Sequence, residues 1–136
     1  MKDLSRASAR RRRMLAGAAA LITVGAGLSV HALVEGAVGD IIGDALYATL
    51  IYLLVVCALP RLAIGWAALL AAGLCTAIEL LQITGAPRAW AESFPPIGLV
   101  LGSGFDARDL LVYAGAILVT MLIDVALTRP PRALRE

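Results

Sequence analysis

The chain is poor in the residues that build water-facing surfaces and in those that build most reactive sites. Only 16% of its 136 residues are Asp, Glu, Lys or Arg, 5% are aromatic, and there are two cysteines and one histidine. A soluble domain carries about 25% charged residues, because its surface must meet water. Here 60% of the chain is hydrophobic and the mean hydropathy is +0.86, so the surplus apolar surface is predicted to face lipid. With a single histidine, His31, and no Cys-x-x-Cys, His-Glu-x-x-His or Gly-rich loop ahead of a lysine, zinc, haem and nucleotide chemistry lack their residues. His31 reads as an interfacial residue rather than a ligand. Cys57 and Cys75 are expected at depths differing by roughly 15 Å at helical rise, too far apart for a disulfide.

What the sequence does have is four long apolar runs, over 14–34, 41–59, 62–83 and 106–127. Each approaches the ~20 residues that a helix needs to cross a hydrocarbon core. They are rich in Leu, Ala, Val and Ile without the alternation of a barrel strand, so helices are implied. The fold class that follows is all-α, a polytopic transmembrane bundle of four helices over 14–127 between basic tails at 1–13 and 128–136. Drawing these spans puts Lys2, Arg6, Arg10, Arg11, Arg12, Arg13, Arg61, Arg129, Arg132 and Arg135 on one side and only Arg88 and Arg108 on the other. That asymmetry predicts both termini in the cytoplasm, in a bacterial plasma membrane. The Arg10–Arg13 run before an apolar segment and Val30-His31-Ala32 also fits a signal peptide. Its apolar run of about 20 residues exceeds the usual h-region, which favours a first span. The cluster is read as a translocation stop touching anionic lipid; it is too short and isolated to suggest nucleic acid as a partner.

Small residues recur four apart at Ala16 and Ala20, Gly25 and Ser29, Ala67 and Ala71, Ala68 and Ala72, and Gly73 and Ala77. Such faces let helices approach closely, inside one chain or in a homodimer or complex with another membrane protein. The long connection over 84–105 holds Pro87, Pro95, Pro96, Gly98, Gly102 and Gly104, which keep it from being one plain helix. Its Trp90 and Phe94 suggest the outer interface, and Leu99, Val100 and Leu101 are expected to tuck into the bundle edge.

Ionisable groups inside a span need a partner or a purpose. Asp44, Glu79 and Asp109, from three helices, are expected at one depth near the outer face. Capping of helix N-termini is the plainer explanation for Asp40, Asp44 and Asp106, and it stands level with function for Asp109. Glu79 has no such explanation, since it lies toward a helix C-terminus, where the dipole disfavours an anion. Gln82 shares its face, Tyr47 aligns with Asp44, and Tyr113 with Asp109. Together with Arg88 and Arg108, the only outer cations, these residues are candidates to line an outward-opening polar pocket; a hydrogen-bonded network without a ligand is the alternative. Asp124, near the inner end of the fourth span, is expected to reach the interface beside Arg129 and is given no function.

Four motifs, Gly43-Asp44-Ala45-Leu46-Tyr47, Glu79-x-x-Gln82, Leu99-Val-Leu-Gly-Ser-Gly-Phe105 and Asp109-Leu-x-x-Tyr113-x-Gly115, occur in order. Over 27–117 the chain resembles small bacterial integral-membrane proteins of unknown function related to the VanZ-like family. The resemblance implies a compact polytopic helical protein of the plasma membrane, with Asp44, Glu79, Gln82, Asp109 and Tyr113 at motif positions. It departs from that pattern at Val30 and His31, where an Arg is usual, and over Ala91 to Pro96.

The expected function is binding of an envelope lipid headgroup or lipid-linked cell-wall component in the outer pocket; the alternative is a non-enzymatic accessory or scaffold subunit. Whether the protein is an enzyme is open, as paired carboxylates also serve as general acid and base. No cofactor is expected, although oxygen ligands of this kind suit a divalent cation. Transport through Glu79 is weaker, because no carboxylate links it to Asp124 across the span.

Overall fold

Apolar side chains without β-alternation give helices, and the computed structural model, which describes residues 6–102 and 104–128, contains six among them. They are α1 (Arg6–Leu33), α2 (Gly36–Ala58), α3 (Ile64–Ile83), α4 (Ala86–Ser93), α5 (Pro96–Leu101) and α6 (Ala107–Thr128). The four long ones, α1, α2, α3 and α6, are each long and apolar enough to cross a membrane. Their exposed surface agrees with that: Leu21, Ile22 and Leu111 are 76%, 73% and 77% exposed, an arrangement that water would penalise and lipid does not.

Helices α2, α3 and α6 pack on one another, and α1 packs along α2. Chain order makes α2 and α6 run parallel, with both N-termini at the end of the bundle where α3 finishes. The core is thin and built on small residues. Ala67 and Ala71 on α3 and Ala48 on α2 are fully enclosed, Ala16 and Ala20 seat α1, and Tyr52 and Val56 fill the space between. Two of the small-residue pairs therefore serve packing within the chain. Gly73 and Ala77, and Gly25 and Ser29, lie on exposed faces.

The helix boundaries correct part of the capping expectation. Helix α2 begins at Gly36, not near Ile41, and its N-cap position is Glu35, whose side chain makes no capping bond. Asp40 is therefore past the first turn, and Asp44 lies two turns inside the helix. The turn from α1 is tight: Val34 and Glu35 alone connect the helices, and a Cβ on Gly39 would lie 2.3 Å from the Val34 carbonyl oxygen. The connection over 84–105 is two short helices, entered through the left-handed Gly85 (φ 74°). Leu99 and Val100 do not tuck into the bundle; both stay exposed, while Leu101 is half-buried.

At the opposite end, here the basic end, Arg12 is 4% exposed rather than part of a solvated tail. Its Nε donates to both carboxylate oxygens of Asp124 at 3.0 and 3.1 Å, and a terminal nitrogen completes the ion pair. The other terminal nitrogen donates to the Pro60 and Leu62 carbonyls at 3.0 and 2.7 Å, and Tyr52 Oη donates to Asp124 Oδ2 at 2.7 Å. Asp124 thus faces inward to Arg12 and Tyr52 instead of reaching out. Arg129, its expected neighbour, lies outside the described residues, as do Lys2, Arg132 and Arg135. One guanidinium joins α1, the α2–α3 connection and α6.

Removing either member strands the other charge in a buried site. Arg12→Met or Asp124→Leu alone is expected to lower stability by about 3–5 kcal/mol, and the double variant to lose much less than their sum. Thermal melting of the four proteins in one detergent checks this; strictly additive losses would mean that the two side chains act independently.

Candidate functional site

At the other end, the third turn of α2, holding Asp44 and Tyr47, and the first turns of α6 meet the last turns of α3. The buried face of α3 is Ala67, Ala71, Cys75, Glu79 and Gln82, a single stripe at helical spacing that carries small residues below and polar ones above. Glu79 is completely buried. Its Oε1 accepts from Tyr113 Oη at 2.8 Å and its Oε2 from the backbone N–H of Asp106 at 3.3 Å.

Those bonds account for the start of α6. Asp106 precedes the helix, and its Oδ1 accepts the Arg108 N–H at 2.9 Å, so it caps the helix as expected. In a capping box the acidic side chain at the third helical position, here Asp109, would return to the Asp106 N–H. Glu79 from α3 takes that N–H instead, and the Asp109 carboxylate is released toward the bundle. Asp109 is 9% exposed, and the Arg108 guanidinium approaches its Oδ1 to 3.5 Å without a hydrogen bond. Arg108 also lies 3.6 Å from Asp106 Oδ2 at the exposed rim.

Asp44 on α2 faces Asp109, with Glu79 and Arg108 also within electrostatic reach. Three carboxylates from three helices therefore do come together. In a low-dielectric site their repulsion is severe unless protons or cations lie among them, and among the described residues Arg108 is the guanidinium at hand. Tyr47 packs its ring against Tyr113, centroids 6.2 Å apart at 50°. Gln82 donates from Nε2 to the Leu101 carbonyl at 2.7 Å, tying α3 to the end of α5. There Gly102 has φ 69°, and a Cβ would lie 2.5 Å from the same nitrogen.

The structure thus brings together Asp44, Tyr47, Glu79, Gln82, Arg108, Asp109 and Tyr113. Arg88 is not among them: it stands exposed on α4 and, among the described residues, makes no ion pair. Three buried polar atoms have no hydrogen-bond partner among the described residues, Tyr47 Oη, Gln82 Oε1 and Asp109 Oδ1, and all three belong to this site. Among the described residues no three His, Cys, Asp or Glu side chains are grouped to hold a metal ion, and Glu79 has both oxygens turned to protein donors. Both cysteines are free thiols.

Sequence reading passed over the polar contacts between α2 and α6 below this site: Thr49 with Thr120 at 3.3 Å, and Tyr52 with Asp124. The signal was present, since Asp109, Tyr113, Ile117, Thr120 and Asp124 recur at steps of three and four and so define one face of α6.

Four apolar spans around buried, mutually bonded polar groups define a multi-pass helical membrane protein. Its family follows from comparison: a family model described as "Protein of unknown function (DUF2809)" matches residues 33–117, and the chain belongs to that family. The match contains every carboxylate of the site but not α1 before Leu33, nor Asp124. No curated protein and no solved structure matches the chain.

Gly102→Ala is expected to lower stability by about 1–2 kcal/mol, because it combines a left-handed backbone position with a clash against Gln82. Gly115→Ala, where a Cβ meets open space, is expected to be neutral or stabilising by up to about 1 kcal/mol. Melting temperatures in one detergent separate the two.

Proposed function

We propose that this protein binds the polar head of an envelope lipid, or of a lipid-linked cell-wall component, at the Asp44–Glu79–Asp109 site. The observation that carries the reading is that Tyr47 Oη, Gln82 Oε1 and Asp109 Oδ1, one from each of the three helices that meet here, are buried without a hydrogen-bond partner among the described residues. Buried polar groups are ordinarily satisfied, and three lapses in one site point to a ligand. Gln82 Oε1 is an acceptor only, and a carboxylate that has lost its proton accepts as well. The ligand that suits them is a donor: a head bearing hydroxyl or ammonium groups, with Arg108 at the rim placed for an adjoining phosphate. The basic asymmetry of the sequence supports an outward-facing site in a bacterial plasma membrane with cytoplasmic termini. The kinship with VanZ-like proteins belongs to the same reading, resting on the motifs that supply Asp44, Glu79, Gln82, Asp109 and Tyr113.

Phosphatidylethanolamine and phosphatidylcholine are both net neutral and differ in their ammonium donors. Native mass spectrometry of the purified protein is expected to show preferential retention of the ethanolamine lipid, reduced about tenfold or more in Asp109→Asn, where a charge-assisted bond is lost. Equal retention of the two lipids, or an undiminished preference in Asp109→Asn and Tyr47→Phe, overturns the reading.

A second reading, an accessory subunit of a membrane complex, draws on the small-residue face left exposed at Gly73 and Ala77. It predicts that Ala77→Leu removes a crosslinked partner or second copy from native membranes while Asp109→Asn does not. The reverse pattern excludes it.

A further inference from the structure

The basic end carries a feature that the carboxylate site does not use. Arg6, Arg10 and Arg13 are spaced four and three apart on α1, so they share a face, and Arg61 meets them from the α2–α3 connection. The four line one open groove of about 610 Å³. All four are exposed, and among the described residues none forms an ion pair with a carboxylate. The floor is apolar, made of Ala9, Ala58, Leu59, Pro60 and Leu62.

Arg61 is set in place from below. The buried Arg12 guanidinium holds the carbonyls of Pro60 and Leu62, the residues before and after Arg61. The backbone carrying Arg61 is thereby fixed against α1 before anything binds, which reduces the ordering that a ligand must impose. This arrangement differs from a flexible basic tail, whose charges are spread along one strand of chain.

The groove lies where α1 passes from its arginines to the apolar run that begins at Met14, and therefore at the membrane boundary. Guanidinium groups pair with phosphate through two parallel hydrogen bonds. Four of them beside an apolar floor exceed what one phosphodiester, with its single negative charge, can neutralise. We propose that this groove binds the head of a membrane lipid carrying two phosphate groups. Two kinds of lipid have that chemistry: those with two phosphodiesters and those with a diphosphate.

The test uses the full chain in phosphatidylcholine nanodiscs, with three probes added separately: cardiolipin, farnesyl diphosphate, and phosphatidylglycerol at twice the molar amount so that phosphate is matched. Cardiolipin or farnesyl diphosphate is expected to bind at least about tenfold more tightly than phosphatidylglycerol, and whichever does so identifies the source. The double variant Arg10→Gln with Arg61→Gln is expected to weaken that binding about thirtyfold at unchanged melting temperature. Arg11→Gln, outside the groove, should weaken it far less. Asp109→Asn should leave it unaltered, which keeps failure here distinct from failure of the carboxylate site. Equal binding of phosphatidylglycerol, full binding by the double variant, or an equal loss in Arg11→Gln overturns the proposal.

Discussion

A charge inside a thin helical bundle must have its partner inside the bundle too, and the Arg12–Asp124 pair is where this protein meets that demand most completely. Arg12 donates to a carboxylate and to two carbonyls, and Asp124 also receives the Tyr52 hydroxyl. Breaking one of these contacts would leave an unsatisfied polar group in a buried place. The pair is therefore a constraint on the whole arrangement: α1, the α2–α3 connection and α6 are fixed relative to one another at one end, while α2, in contact with the other three long helices, holds the middle.

The carboxylate end solves the same problem differently. Glu79 takes the Tyr113 hydroxyl and the Asp106 N–H as its two protein donors, and the consequence passes to Asp109, which is left facing Asp44 with one oxygen that accepts no hydrogen bond from the described residues. The basic end closes its buried polar groups on one another, whereas the other end leaves buried polar atoms without a hydrogen-bond partner among the described residues. That contrast, more than the presence of carboxylates, directs the functional reading to the Glu79 end.

Much of this was legible in residue order. The four spans, their all-helical character and the shared depth of Asp44, Glu79 and Asp109 follow from hydropathy and helical rise, because length in a membrane is fixed by bilayer thickness. Helix starts were less legible. The capping reading of Asp44 failed because Gly36 allows α2 to begin straight after α1, a matter of one backbone angle (φ 76°) that hydropathy does not register. Arg12 was hidden for another reason: it sits in a run of four arginines that composition treats alike, and only the face it shares with Ala16 and Ala20 distinguishes the inward-pointing one. Arg88 was grouped with the site by side of the membrane, a one-dimensional criterion that the lateral position of α4 defeats.

The separation between Arg12 and Asp124 has a bearing on biosynthesis. The two residues stand 112 positions apart in the chain, near its two ends. At roughly 5–20 residues per second, the ribosome completes Asp124 some six to twenty seconds after Arg12. For that interval α1 carries a guanidinium without its acidic mate. Until α6 is made, water and lipid headgroups at the membrane boundary are the partners open to Arg12 in place of Asp124. The Arg12–Asp124 contact is thus among the last that synthesis makes available, and it depends on the arrival of a single aspartate.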